Sequence, residues 1–433
     1  MKISDLYNKK IAILWFGLEW KSTLNFLLKN KILTSNITIL DLNKDIVPPQ
    51  SINTETGENY LNNISRYDII FKTAWMPLNE KLIPVKNKIT IQMQFFLDNY
   101  KGKVIWVTAS KWKSTMSSLL YQVIKDAWKN IKLVWNIWTP VLDEIDFQQE
   151  YDYVVCEISS YMLEFLDKKN YISILWSIFP EHIDWHNGLQ NYVNAKLNIL
   201  KGSDINVVCQ STIKQYNLQN QYHNIISYGK DWNYSQEKWF FTKNWEKLFS
   251  TRNIKLLWQH NKENICAIIA AIDQLWIDLM SVEKTIKNFT WLPHRLEFVG
   301  TYHGIDFYDD AISTTPESTI QAIKTLNKKI DTIFLGWVDR WYDFSELAKY
   351  IIKSDIKNIV LFSPSWKSIK EALSGEKDIN FFETDDMWLA VDFAFKYTQK
   401  NKICLLSTAA PSYSIRKNFE EKWDLFKQFV GGY

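Results

Sequence analysis

A chain of alternating strands and helices needs residues without a side chain wherever it turns sharply or passes close to a ligand, and this sequence has few of them. Glycine occurs 12 times in 433 residues, whereas tryptophan occurs 21 times; an average protein is about 7% glycine. The two types together number 33, close to an ordinary glycine content with little tryptophan left over. Glycine reaches φ > 0 without steric cost and lets backbone amides approach a phosphate. An indole-bearing residue does neither. The places where the tryptophans fall therefore decide what this chain can form.

Short β-rich runs alternate with helical stretches at 10–14, 36–40, 67–71, 103–107, 153–158, 172–175, 331–335, 358–362 and 403–407. This alternation predicts parallel α/β sheets. A polar stretch at 90–103 and a helical segment ending at a proline at 289–293 mark the joints. Three α/β domains follow: 1–92, 93–291 and 292–433. On that map Trp15 and Trp20 flank the turn after the first strand, and Trp106 and Trp112 flank a second strand–turn–helix. Trp135, Trp138, Trp232 and Trp245 lie in polar turns, and Trp128 and Trp276 at helix ends. A surface that stacks sugars or bases would repeat its aromatics along one face of an element. These sit where the chain turns, so the sequence reads better as one in which a codon meaning glycine in the source is written as tryptophan. Whether each tryptophan is genuine, Trp176, Trp185 and Trp388 above all, stays open.

The remaining composition sets the class. Lysine and arginine number 51 against 48 acidic residues, a net charge of +3, and 46% of residues are hydrophobic. That balance belongs to a globular protein and argues against a nucleic-acid partner. The apolar run 11–18 is too short for a signal segment or a membrane span, which predicts a cytoplasmic protein without a membrane partner. Cys156, Cys209, Cys266 and Cys404 form no CxxC pair and are expected to be reduced and buried.

With glycine at 106 and 112, residues 106–115 read Gly-Val-Thr-Ala-Ser-Lys-Gly-Lys-Ser-Thr, a phosphate-binding loop between strand and helix. The backbone from Trp106 through Thr108, Ala109, Ser110, Lys111 and Trp112 would wrap the phosphates of ATP, with Thr115 following. Lys113 would neutralise the β and γ oxygens, and the Ser114 hydroxyl would reach Mg²⁺. Glu157 ends a strand, where nucleotide-binding sheets often hold a metal ligand. His182 and His186 are four apart but form no HExxH zinc helix; Tyr192 and Lys196 follow.

Together these motifs resemble the Mur ligase family, although Ala109 departs from the Thr-Gly pair that precedes the family's loop. The resemblance implies an N-terminal Rossmann-like domain, a central P-loop ATPase with a mostly parallel sheet and a C-terminal Rossmann-like domain. It implies that Lys113, His182 and Lys196 are catalytic, and that Ser114, Glu157, His182 and Lys196 hold metal, two Mg²⁺ ions in all. Lys196 would be carbamylated. Trp185 is a tryptophan to keep, because a His-x-Asp-Trp-His string occurs in the family. Asn261 and Asn264 would approach ATP, Arg295 after a Leu-Pro-His hinge would reach the γ-phosphate, and Asp310 would stand at the ATP-site aspartate.

The last domain and the short first domain resemble the branch of the family that adds D-glutamate to UDP-N-acetylmuramoyl-L-alanine through an acyl phosphate. By that resemblance Leu18, Glu19, Asp41, Trp75 (as glycine) and Asn136 lie along the nucleotide-sugar path, and Ser159 and Thr314 contact substrate. Arg340, Ser412 and Phe419 face the glutamate. A monomer is implied, and whether the amino acid is D- or L-glutamate is not readable. Two rivals stand: another Mur-type ligase such as a folylpolyglutamate synthase, whose family begins directly with its ATPase, or an inactive binding protein if the tryptophans are real.

Overall fold

A computed structural model describes residues 1–14, 18–49, 51–134, 140–167, 169–230, 232–256, 259–289, 295–313, 315–326, 329–337, 343–373, 379–410 and 419–433; for residues 18, 259–260, 317 and 419–423 it describes the backbone alone. Trp15, Trp135, Asn136, Trp138, Trp291, Thr314, Arg340, Trp341 and Ser412 lie outside the described residues, as do the side chains of Leu18 and Phe419. The chain forms two compact units, Met1–Phe289 and Thr290–Tyr433.

The first unit contains two sheets. Its N-terminal strands are β1 (Ile11–Leu14), β2 (Ile37–Asp41), β3 (Asn53–Thr56), β4 (Ile69–Lys72) and β5 (Ile89–Thr90), all parallel in the order β3-β2-β1-β4-β5. Strands β1, β2 and β4 are buried at every position, the signature of a parallel sheet covered on both faces. The order reverses between β1 and β4, which opens a crevice at their carboxyl ends.

The second sheet contains β6 (Val104–Thr108), β7 (Ile131–Val134), β8 (Tyr153–Glu157), β9 (Ile172–Leu175), β10 (Ile205–Cys209), β11 (Ile225–Tyr228), β12 (Tyr234–Glu237), β13 (Phe240–Lys243) and β14 (Glu246–Ser250). Its order is β14-β13-β12-β11-β10-β9-β6-β8-β7, parallel except for the meander β12–β14. Here the direction reverses at β6, between β8 and β9, so the residues after β6 stand at the switch point. The sequence boundary between 92 and 93 falls between the two sheets of this unit.

The second unit is built on β15 (Glu297–Tyr302), β16 (Ile305–Asp309), β17 (Ile330–Gly336), β18 (Asn358–Phe362), β19 (Asn380–Glu383) and β20 (Ile403–Leu406), ordered β15-β16-β20-β17-β18-β19 with only β15 antiparallel. All nine strand runs expected from sequence are present; β7, β10, the meander and the β15–β16 pair are among those added to them. The four cysteines are free and buried. No described helix is long and apolar enough to cross a membrane.

The tryptophans divide into two groups. Trp112, Trp128, Trp245, Trp276 and Trp337 have φ of 71°, 59°, 68°, 57° and 98°, the left-handed region that disfavours a Cβ. Trp128 follows the helix Lys113–Asp126; its N–H bonds Lys125 O, and the Lys129 N–H bonds Ile124 O. That pair of bonds is the Schellman termination, whose left-handed residue is usually glycine. Trp276 repeats it after the helix Gln259–Asp273, with bonds from Trp276 N to Asp273 O and from Ile277 N to Ile272 O. Asn244 (φ 51°) and Trp245 form the two-residue loop between β13 and β14, the position of an Asn-Gly type I′ turn. Trp337 follows Gly336, where an added Cβ would meet Phe362 O at 2.3 Å. The expectation of a turn position is corrected for Trp20, which lies in the helix Leu18–Lys29; Trp106 lies at 1% exposure inside β6, within the expected strand run 103–107.

Trp128 and Trp276 are almost fully exposed, so removing either indole loses no core. Trp128→Gly, Trp276→Gly and Trp245→Gly should each stabilise the protein by about 1 kcal/mol by relieving the left-handed backbone. Alanine at the same places should give much less, because it keeps the Cβ. Thermal melts of the glycine and alanine series check this; equal gains from both would show that backbone conformation is not the cause.

Candidate functional site

The carboxyl end of β6 leads into residues 109–112 and then into the helix that starts at Lys113. A run of small polar residues, Ser114, Thr115, Ser117 and Ser118, lets this helix pack closely against the sheet, and all four are buried. The Lys113 Nζ donates to Ala109 O at 3.1 Å and to Ser110 O at 3.3 Å, so the lysine closes back over its own loop. Ser110 anchors that loop: its N–H bonds Ser177 O, its hydroxyl accepts from Phe179 N at 2.8 Å, and it lies 2.6 Å from the Tyr192 hydroxyl.

Lys196 comes from the helix Leu189–Leu197 and reaches under the loop. It is 2% exposed, and its Nζ donates to Ala109 O at 2.7 Å and to Thr108 Oγ1 at 3.0 Å. Burial, reinforced by the Lys113 charge, holds its pKa well below the ordinary lysine value, against the attraction of Glu181 and Glu157. Glu157, the last residue of β8, is fully buried, and neither carboxylate oxygen has a hydrogen-bond partner among the described residues. A buried carboxylate of this kind costs free energy unless a cation or donor meets it. Carboxylate oxygens suit a hard divalent ion such as Mg²⁺; among the described residues no group of three or more His, Cys, Asp or Glu side chains is placed to hold a metal.

His182 is exposed on its turn with φ 54°, yet its ring packs 4.9 Å from Tyr161 and 6.4 Å from Tyr192. Desolvation by those neighbours lowers its pKa to about 4, with Lys113, Lys196 and His186 adding repulsion. It is therefore a neutral imidazole at pH 7, able to donate a lone pair to a metal. His186 is buried, bonds Ser160 Oγ at 3.1 Å and stacks on Tyr161. Ser159 caps the short helix Ser160–Leu163 through a bond from Met162 N at 3.3 Å. Asn261 and Asn264 are fully buried on the helix Gln259–Asp273, and Asn264 Nδ2 donates to Asn261 Oδ1 at 3.2 Å. Lys111 stands 3.9 Å from Glu181, and Thr115 is buried beneath the helix start.

The N-terminal sheet forms a second cluster of expected residues at the carboxyl ends of β1, β2 and β4. Asp41 is buried at the end of β2 and accepts from Asn43 N at 2.7 Å. Glu19 is pushed up to about 6 by burial, while Thr73 and Lys72 oppose the shift. Trp75 is half exposed. Lys72, not foreseen from sequence, is 2% exposed and held down to about 7 by burial, against the pull of Glu19. Its signal was a lysine closing an apolar strand.

In the second unit Asp310 follows β16. Its Oδ1 accepts from Leu296 N at 3.1 Å and its Oδ2 from the Ser407 hydroxyl at 2.9 Å. Burial raises its pKa to about 7, against the hydrogen bonds of Ser313 and Ser407 and the charge of Arg295.

Residues 107–272 match the Mur ligase middle domain family. Over its whole length the chain is similar to the UDP-N-acetylmuramoylalanine–D-glutamate ligase of Clostridium tetani, 26% identical with 98% of this chain and 97% of that one covered. The same enzyme of Clostridium perfringens is 28% identical over 98% and 96%. Among solved structures, the UDP-N-acetylmuramate–alanine ligase of Thermotoga maritima superposes with a TM-score of 0.62 at 17% identity, covering 98% of this chain and all of that one. The MurF ligase of the same organism, solved with ADP, gives 0.60 at 15%, covering 100% and 97%. The α/β architecture is thus that of the Mur ligases.

Glu157→Gln removes the stranded charge and keeps its shape. The variant should melt no lower than the parent protein in chelator; Mg²⁺ with ADP should raise the parent's melting temperature, and the variant should lose that rise. Scanning fluorimetry with and without Mg²⁺ measures both; an undiminished Mg²⁺ response would remove Glu157 from the metal site.

Proposed function

We propose that this chain, which carries a Mur ligase middle domain and is related over its whole length to UDP-N-acetylmuramoylalanine–D-glutamate ligases, uses ATP to join the alanine carboxylate of UDP-N-acetylmuramoyl-L-alanine to the amine of D-glutamate. The observation that carries this reading is the conjunction, around one loop, of a buried lysine with depressed basicity and a buried carboxylate with no hydrogen-bond partner among the described residues. Such a lysine can attack CO₂: its nitrogen lone pair bonds the carbon, a proton leaves the nitrogen, and an anionic carbamate stands where a cation would otherwise be.

Ser114, Glu157, His182 and carbamylated Lys196 are the groups that would hold Mg²⁺, two ions in this reading. When bound, the metal offsets repulsion between the triphosphate and the attacking carboxylate. The rest is positioning and electrostatics by the chain. Lys113, now turned onto Ala109 and Ser110, swings to the β and γ oxygens of ATP as the loop fills. The carboxylate oxygen attacks the γ-phosphorus and ADP leaves; the glutamate amine then adds to the acyl carbon and phosphate departs. Asn261, Asn264, Arg295 and Asp310 serve ATP, Arg340, Ser412 and Phe419 serve the amino acid, and Thr314 contacts substrate. The N-terminal sheet, β1 to β5, precedes the ATPase, which favours a nucleotide-sugar ligase over a folylpolyglutamate synthase.

Glycine in the natural protein at 112, 128, 245, 276 and 337 is the companion reading, supported by their left-handed backbone. Peptide mass spectrometry of the protein from its source should find glycine there and tryptophan at 185; indole masses at all five would end this reading.

ADP release should require both UDP-N-acetylmuramoyl-L-alanine and glutamate, with the D enantiomer preferred. Lys113→Ala should lower turnover by about 10²–10³-fold while nucleotide-sugar affinity changes only a few fold. Lys196→Ala should be similarly slow, and formate or acetate should restore part of its activity by filling the place of the carbamate. Full activity of either variant would overturn its assigned role.

A further inference from the structure

Residues 73–76 follow β4 at the crevice where the N-terminal sheet reverses. Thr73, Ala74 and Met76 are buried, and only Trp75 reaches solvent. This short segment is gripped from two sides. From within its own sheet, the Lys72 Nζ donates to Thr73 O at 2.8 Å and to Met76 O at 2.5 Å, so one ammonium closes the turn on itself. From the second sheet, the Trp185 indole N–H donates to Trp75 O. The acceptor is a backbone carbonyl, so the bond is the same whether residue 75 is tryptophan or glycine.

Both donors lead to the catalytic side. Lys72 lies 4.0 Å over the ring of Phe165, which follows the helix capped by Ser159. Trp185 packs edge-on against His186 at 4.5 Å and against Tyr161 at 4.7 Å, and Tyr161 lies 4.9 Å from His182. A continuous set of contacts therefore runs from the crevice of the N-terminal sheet to the histidine turn beside Lys196. Hydrogen bonds to backbone carbonyls in a buried setting fix geometry as well as adding stability.

We propose that Lys72 and Trp185 are positioning residues that strap the 73–76 segment between the two sheets, and so align the nucleotide-sugar substrate with the phosphate loop. The inference rests on the ligase reading. It explains why a lysine is buried at the end of an apolar strand, and why a genuine tryptophan is kept at 185 among so many doubtful ones. A substrate anchored at the N-terminal crevice must present its far carboxylate at Lys113 and Glu157, and a loose segment would bind it in many registers.

Trp185→Phe keeps the ring and removes the N–H; Lys72→Met keeps the length and removes the charge. Calorimetric titration of UDP-N-acetylmuramoyl-L-alanine into each, without ATP, should show about tenfold weaker binding, converting to roughly 1.4 kcal/mol. Its KM should rise in parallel, while kcat and the KM for ATP stay within about threefold. The double variant should lose less than the product of the two single losses, since both act on one segment. Wild-type affinity in Trp185→Phe overturns the strap even if Lys72→Met fails to fold. A fall in kcat with unchanged affinity also overturns it, assigning these residues to the chemical step. A parent protein that binds the nucleotide sugar but releases no ADP would sink the ligase reading and leave the binding test of the strap intact.

Discussion

A parallel sheet covered on both faces leaves a polar side chain one place to go, the edge where its strands end. Strands β1, β2, β4, β6 and β8 are buried at every position, and the chemistry of this molecule is confined accordingly. Asp41 and Lys72 close β2 and β4, Glu157 closes β8, and Asp310 follows β16. Each is a charged residue at the last point where the sheet can tolerate one. The switch points of strand order then select which of these edges open as crevices.

The loop after β6 illustrates the electrostatic consequence. Lys113 and Lys196 approach the same loop carbonyl, Ala109 O, and two ammonium groups so close cannot both hold their protons comfortably when one is buried. Burial first, and the Lys113 charge second, hold the Lys196 pKa well below the ordinary lysine value. His182 is lowered to about 4 chiefly by burial, with the same two lysines adding repulsion.

The position of glycine runs through the same argument. Helix ends at Trp128 and Trp276 adopt the Schellman geometry, and Trp245 completes a tight hairpin, although each carries an indole. Tertiary packing and backbone hydrogen bonds impose these turns. The β12–β14 meander was hidden in the sequence because its turn reads Asn-Trp rather than Asn-Gly, the strongest short-range hairpin signal. Trp106 misled only as a loop glycine: it lies in the expected strand run, and its register in β6 opposite Cys156 and Ser173 makes it a core residue.

The sequence by itself determined the parallel α/β class, the buried reduced cysteines and the order of the chemical motifs, because apolar periodicity and motif spacing are local properties written in consecutive residues. It also exposed the tryptophan anomaly, since glycine demand is set by the number of turns. What only the tertiary structure decided were relations between distant residues: that Lys196 lies under Ala109, that Glu157 is buried with no hydrogen-bond partner among the described residues, and that Lys72 and Trp185 meet on one segment. Those depend on which strands lie side by side and how deeply a side chain is desolvated. No local pattern encodes them, because burial and register arise only when the whole sheet has closed.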